Sequence, residues 1–152
     1  MSRSVLVIGS TGIFAPAAAA LRARGDHVIG VSLHGAGDSI GVDARDRGSL
    51  TAALEGHTWD DALVYGPAVS VQSLGFVRGA TPGRCVHVRT TGAADPALGV
   101  LTVPDDTLQL GWKDAGAYRW HTPAEVSSAA LDVLADGRAR TLGLVRPWEG
   151  RP

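Results

Sequence analysis

The chain opens on Val5-Leu6-Val7-Ile8, an uncharged run that ends abruptly in Gly9-Ser10-Thr11-Gly12. A short apolar, β-branched run bounded by glycine is the pattern of a parallel strand buried on both faces. Such a strand needs a crossover connection, and residues 13–24, rich in alanine and closed by Gly25, supply a helical one. Pro16 is compatible with a helix only in its first turn, so the helix starts close to it. Strand, glycine turn and helix in immediate succession commit the chain to βαβ architecture.

The same alternation continues. Residues 26–32 read as a second strand, 40–43 as a short third, 62–65 as a fourth, 84–90 as a fifth, 107–112 as a sixth and 141–145 as the last. Helices are expected over 49–54 and 123–134, the second opened by Thr122 and Glu125 at capping-box spacing. Strands and helices at this spacing predict an α/β fold, a Rossmann-like, doubly wound and mainly parallel sheet. With 152 residues and no repeat, low-complexity tract or linker, a single domain over 1–152 is expected.

Charge and composition exclude several functions. Fourteen basic side chains against fifteen acidic ones leave a net charge of −1, without the basic excess that a nucleic-acid binder needs. Lone Cys85 precludes an intramolecular disulfide framework and suits a reducing cytoplasm. Residues 5–21 are uncharged and follow Arg3, as in a secretion signal, but the glycine turn interrupts them. They also fall short of the roughly 20 apolar residues of a membrane span. A retained, cytoplasmic chain with no membrane partner is expected. His27, His34, His57, His87 and His121 show no metal-ligand spacing, so no metal is expected. His87, between Val86 and Val88, reads as a sheet-face histidine, and no G-x-S-x-G elbow marks a hydrolase.

The glycine turn carries the chemistry. Gly9, Ser10, Thr11, Gly12 and Ile13 sit between strand and helix, with Ala15 completing a GxxGxxA spacing. Gly9 permits the tight turn, Gly12 lets backbone amides approach a pyrophosphate, and the helix N-terminus favours the anion. At the end of the second strand, where an acidic residue would hold the ribose of NAD, stand Ser32 and Leu33, followed by His34. No carboxylate there repels a 2′-phosphate. Ser32 and His34 can donate to one, so NADP is expected, with NAD as the alternative. After the third strand, Asp43 can accept from an adenine amino group while the Ala44 backbone meets the ring edge. Gly66, after the fourth strand, completes the cofactor set.

Taken together, the glycine turn and Val42-Asp43-Ala44-Arg45-Asp46 resemble the short-chain dehydrogenase/reductase superfamily, especially its extended and atypical branches. Thr107-Leu108-Gln109-Leu110-Gly111-Trp112 and the segment from Arg119 to Ser127 are similar to that superfamily's sixth strand and following helix. The ending from Arg146 to Pro152 is similar to a group of unusually short bacterial relatives. The resemblance implies a dinucleotide cofactor and a catalytic Tyr-xxx-Lys on a long helix between strands five and six. This chain departs from it there. Gly92 to Asp106 offers fifteen residues broken by Pro96, Gly99 and Pro104, so that helix is expected to be shortened or missing. Val69 and Thr122 stand four after Tyr65 and Tyr118, so neither tyrosine has the lysine.

In open α/β sheets, ligands bind beyond the carboxyl ends of the strands. That places Tyr65, Thr90, Lys113 and Tyr118 as candidate catalytic residues, with Thr91 beside Thr90 and with Trp112 and Trp120 flanking a small-molecule pocket. Three functions remain open. One is an NAD(P)H-dependent reductase with a rebuilt acid; another is a non-hydride cyclase or isomerase on the same scaffold. The third is a non-catalytic dinucleotide sensor or partner subunit. A missing helix would leave apolar surface on one sheet face, from which a homodimer is expected.

Overall fold

Seven strands pair edge to edge, each parallel to its neighbours, in the computed structural model, which describes residues 2–152. In chain order the elements are β1 (Ser4–Ile8), α1 (Ala15–Ala23), β2 (His27–Ser32), β3 (Ile40–Gly41), α2 (Arg47–Ala53) and β4 (Asp61–Tyr65). They continue with α3 (Val71–Ala80), β5 (Cys85–Arg89), β6 (Thr107–Leu110), β7 (Lys113–Asp114), β8 (Tyr118–Arg119), α4 (Pro123–Asp136) and β9 (Arg140–Leu142). The sheet order is β3-β2-β1-β4-β5-β6-β9, and β7 and β8 form a separate antiparallel hairpin. This is the expected Rossmann-like α/β sheet. Its order reverses between β1 and β4, the place where such sheets open a crevice at the strand carboxyl ends.

Alternation along the strands builds a core on each face. Val5, Val7, Leu63, Val86, Val88 and Leu108 pack with α1 and α4. Leu6, Ile8, Ala62 and Val64 pack on the other face with Leu50 of α2 and with Leu74 and Val77 of α3. The two helices of the first face fit closely because α1 buries the small Ala17 and Ala18. Helix α4 begins with both arms of its capping box made, Glu125 N donating to Thr122 Oγ1 (3.2 Å) and Thr122 N to Glu125 Oε1 (2.9 Å). It ends at Gly137 in the left-handed conformation.

Three features differ from the sequence expectation. Helix α3 was not among the expected elements, and Gly75 and Gly79 within it disfavour a helix. Ser70 nonetheless caps it by accepting from Ser73 N (3.0 Å), while both glycines lie where an added Cβ would meet nothing. Tertiary packing of Leu74 and Val77 overrides the propensity. The β7–β8 hairpin was also not expected. It carries Lys113 and Tyr118 away from the end of β6, while Trp112 bridges to Leu144 beyond the regular strands.

The third difference concerns the segment between β5 and β6. As expected, it holds no long helix, only 3-10 turns at Thr91–Ala94 and Pro96–Leu98. The sheet face it leaves is not apolar, however. His87, Arg89, Thr107 and Gln109 lie there by strand alternation, and Arg89 Nε donates to Gln109 Oε1 at 3.0 Å. Buried Gln109 spends its amide on the Thr90 carbonyl (2.8 Å) and the Leu110 carbonyl (3.0 Å). The sheet face expected to be apolar thus carries polar side chains, of which Gln109 has both ends of its amide hydrogen-bonded. Among the described residues, no helix is long and apolar enough to cross a membrane.

Burial, with Arg78 and Arg89 close by, pushes the His87 imidazole down to about 4. In the unfolded chain it titrates near 6.5. Between these values the unfolded state takes up a proton that the folded state refuses, so this group's contribution to stability is complete above 6.5 and falls as pH drops toward 4. The urea midpoint should fall from pH 7 to pH 5, and the fall should be smaller in His87→Gln. Equal falls in both proteins would show that His87 is not responsible.

Candidate functional site

Backbone geometry creates the first part of the site. Strand β1 is paired on both edges and buried on both faces, so the chain must leave its end through a tight turn. Gly9 takes φ +106°, and a Cβ there would stand 3.3 Å from Tyr65 Cβ. The Gly9 and Ser10 amides both donate to the Val31 carbonyl, at 2.9 and 3.3 Å. Gly12 and Phe14 then turn back onto Gly9 O, which leaves the amides of Thr11 and Ile13 with no acceptor among the described residues. An added Cβ on Gly12 would meet nothing within 4 Å. Two free amides beside an open glycine at a helix entrance are what an anionic pyrophosphate requires.

The turn is held from outside. Ser127 on α4, itself buried, donates its hydroxyl to the Ile13 carbonyl at 2.9 Å, which fixes the peptide plane of the turn. The crevice above it encloses about 380 Å³ and runs from Gly9, Gly12 and Ile13 to Ser32, Asp43 and Ala44. That volume lies within the range of ligand pockets, and the walls are mostly apolar.

Most of the expected cofactor residues meet here. Gly9, Thr11, Gly12, Ile13, Ser32, Asp43 and Ala44 line the crevice. Ser10 does not, since its hydroxyl turns inward to Val31 O (3.4 Å) and Ser39 Oγ (3.0 Å). Gly66 stands behind the wall, where its missing side chain makes room for the Val88 carbonyl and His87 Nε2. His34 is exposed and outside the crevice, because the Ser32 hydroxyl accepts from Gly35 N (3.0 Å) and curls the loop outward. Arg45, which the sequence reading passed over, lines the crevice instead. Its guanidinium grips Asp43 through two 3.0 Å hydrogen bonds and holds that carboxyl below its usual range. Its position two residues after Asp43 was the available signal.

A second cleft of about 290 Å³ adjoins the first and shares Ile13 and Tyr65 with it. Thr90, Thr91, Leu110, Trp120, His121 and Val126 complete much of its lining. Tyr65 and Thr90 therefore meet where the sequence placed them. Lys113 and Tyr118 do not reach the cleft. Lys113 Nζ is paired with Glu125 at 2.8 Å, and Tyr118 leans against Trp112 with ring centroids 6.4 Å apart. Trp120 flanks the cleft as expected, whereas Trp112 is fully buried. His121 is the residue that the sequence did not single out. It precedes the capping box of α4, so the helix start brings it to the cleft edge.

No protein-family model matches the chain, and no curated protein matches it in sequence. Solved structures do match it in fold. A short-chain dehydrogenase/reductase from Serratia marcescens superposes with a TM-score of 0.65 at 17% identity, over 93% of this chain and 95% of that one. A short-chain dehydrogenase from Streptomyces avermitilis gives 0.60 at 14% identity, over 94% and 89%. The chain has the short-chain dehydrogenase/reductase fold. The Bordetella bronchiseptica enzyme WbmH, solved in complex with NAD+, gives 0.63 at 11% identity, over 95% of this chain and 76% of that one. At such identities the likeness speaks for the fold, and the chemistry must be argued from the site.

Ser127→Ala would strip the Ile13 carbonyl of its buried donor, at a cost of about 1 kcal/mol. Denaturant unfolding should register that loss, while Ser128→Ala, on the exposed side of α4, should be neutral. Equal effects from the two substitutions would remove the turn-holding role of Ser127.

Proposed function

We propose that this chain binds a nicotinamide dinucleotide in the first crevice and acts as a reductase or dehydrogenase on a small molecule in the second cleft. The observation that carries this reading is the shared wall. Ile13 and Tyr65 belong to both cavities, so a dinucleotide stretched from Asp43 across the glycine turn would end beside whatever fills the second. The free Thr11 and Ile13 amides fit a pyrophosphate, and Asp43 keeps lone pairs for an adenine amino group while holding Arg45. A bound nicotinamide ring would supply hydride transfer. The chain itself contributes position and a proton donor, and Tyr65 at the junction is the hydroxyl best placed for that, with Thr90 to hold a carbonyl.

Within this reading, NADP is the preferred dinucleotide and NAD the alternative. Ser32 and Leu33 bring no carboxylate to the crevice. The cation beside them is Arg45 rather than His34, and its guanidinium has donors left over after Asp43 is satisfied. The setting is cytoplasmic, in keeping with a single reduced cysteine, and the partner is a small molecule.

One observation favours a second reading, a chain that binds the dinucleotide without turning it over. Lys113, a sequence candidate for proton transfer, is neutralised by Glu125 outside the cleft. Two measurements separate the readings. Calorimetry should show heat with NADPH and less with NADH, both abolished in Gly12→Val, with the difference between them lost in Arg45→Ala. Silence toward both dinucleotides would end either reading. With a substrate in hand, Tyr65→Phe should lower turnover by about 10²–10⁴-fold and leave dinucleotide affinity unchanged. Unchanged turnover would remove Tyr65 as the acid.

A further inference from the structure

The β7–β8 hairpin sets two cations face to face. Lys113 and Arg119 are directly opposed across it, and Asp114 and Tyr118 form its other pair. Like charges opposite one another destabilise a hairpin. Glu125, in the first turn of α4, accepts from both, with Lys113 Nζ 2.8 Å from Oε2 and Arg119 Nη1 2.8 Å from Oε1. Arg119 Nη2 adds a contact to Oε2 at 3.3 Å, and the Thr122 amide donates to Oε1 at 2.9 Å. Four donors fill a carboxylate. Glu125 has no further acceptor to offer, and its one negative charge stands against two positive ones.

The excess cation is still able to bind. Two N–H groups of Lys113 Nζ, the Nε–H of Arg119 and one N–H of its Nη2 have no acceptor among the described residues. The two side chains remain 44% and 42% exposed. The cluster sits against the second cleft. Arg119 Nη1 donates to the Trp120 carbonyl at 2.9 Å and Glu125 directly precedes Val126, and both of these neighbours line the cleft. The charges of Lys113, Arg119 and Glu125 all act on the ring of His121 in the same wall. Pairing with Glu125 takes Lys113 out of proton transfer, but it leaves a positive rim beside Ile13, Leu110 and Val126 of the lining. One excess charge balances a carboxylate and leaves half of a phosphate dianion uncompensated.

We propose that the second cleft takes an oxo acid, with its carbonyl beside Tyr65 and Thr90 and its carboxylate at the rim on Lys113 and Arg119. The two cations act here as specificity-determining residues, favouring a monoanion over a neutral compound of the same shape. Glu125 sets the strength of that preference, because it holds the two cations together and cancels one of them. The proposal rests on the reading of this cleft as the substrate site.

The test uses 6-oxoheptanoate and 6-oxoheptanamide, which share a methyl ketone and a flexible chain and differ in charge. Binding at pH 7.5 is followed through the indole N–H resonance of Trp120, assigned with Trp120→Phe. A second reporter is the ε-methylene resonance of Lys113, the single lysine of the chain. At low salt the acid should bind about fivefold tighter than the amide, the upper worth of an exposed ion pair. That preference should vanish at about 1 M salt, where the screening length is about 3 Å. Lys113→Met should abolish it, because Glu125 then cancels Arg119. Glu125→Gln keeps a capping-box residue and removes the carboxylate, so it should widen the preference. In the wild type, the Lys113 resonance should move with the acid and stay in place with the amide. This readout and the salt dependence need no variant. Equal affinities, a preference that survives salt, or one retained in Lys113→Met would overturn the proposal. So would a preference weakened in folded Glu125→Gln, an unmoved Lys113 resonance or a Trp120 resonance silent toward both compounds. The titrations need no dinucleotide. Charge discrimination alongside silent calorimetry with NADPH and NADH would refute the dinucleotide reading and leave this one standing. Heat with either dinucleotide and equal affinity for the two compounds would do the opposite.

Discussion

The geometry of the first crevice follows from the closure of β1. The strand is hydrogen-bonded along both edges and covered on both faces, so its carboxyl end has nowhere to continue. The chain escapes through Gly9 at φ +106°, with the Tyr65 Cβ so near that a side chain would crowd it. That escape uses the Gly9 and Ser10 amides on Val31 and orphans those of Thr11 and Ile13. The constraint that packs the core thus leaves two amides unpaired at the mouth of the crevice. Ser127, reaching from α4 to the Ile13 carbonyl, ties the turn to that helix.

A second dependency is electrostatic. Glu125 is at once the capping-box residue of α4 and the acceptor for Arg119 and Lys113, and these two cations hold its carboxyl well below the usual range. Exposed ion pairs of this kind add little stability. Their effect is spatial: they tie the β7–β8 hairpin to the first turn of α4. A helix cap and a tertiary anchor are therefore one side chain seen from two sides.

The absent helix between β5 and β6 shows how a sheet face is covered without one. Instead of apolar side chains, His87, Arg89, Thr107 and Gln109 occupy that face, and Gln109 is buried with both ends of its amide satisfied. A buried amide that is fully hydrogen-bonded costs little, whereas an exposed apolar face would invite association. Polar side chains on alternate residues of two strands bond the irregular segment that takes the helix's place.

Periodicity and punctuation were enough to read β1, the glycine turn, α1, the strands of the main sheet along the chain and the capping box of α4, because each rests on interactions between residues close in sequence. The interrupted segment before β6 was legible for the same reason: proline and glycine act locally. Helix α3 was not, since Gly75 and Gly79 weigh against it and only burial of Leu74 and Val77 against β4 and α2 decides the matter. For the site, the residues of the turn, with Asp43, Ala44, Tyr65 and Thr90, could be named from their places at strand ends. The fate of Ser10, His34, Lys113 and Tyr118 could not. Each depends on where a side chain finds its partner, in Ser39, in the Gly35 loop, in Glu125 and against Trp112, and those partners lie on elements brought together only by folding. Arg45 and His121 enter the site for the same reason. Sequence determined which backbone could form the site, and the tertiary structure decided which side chains were left free to use it, because a side chain's availability is set by its competing partners in space.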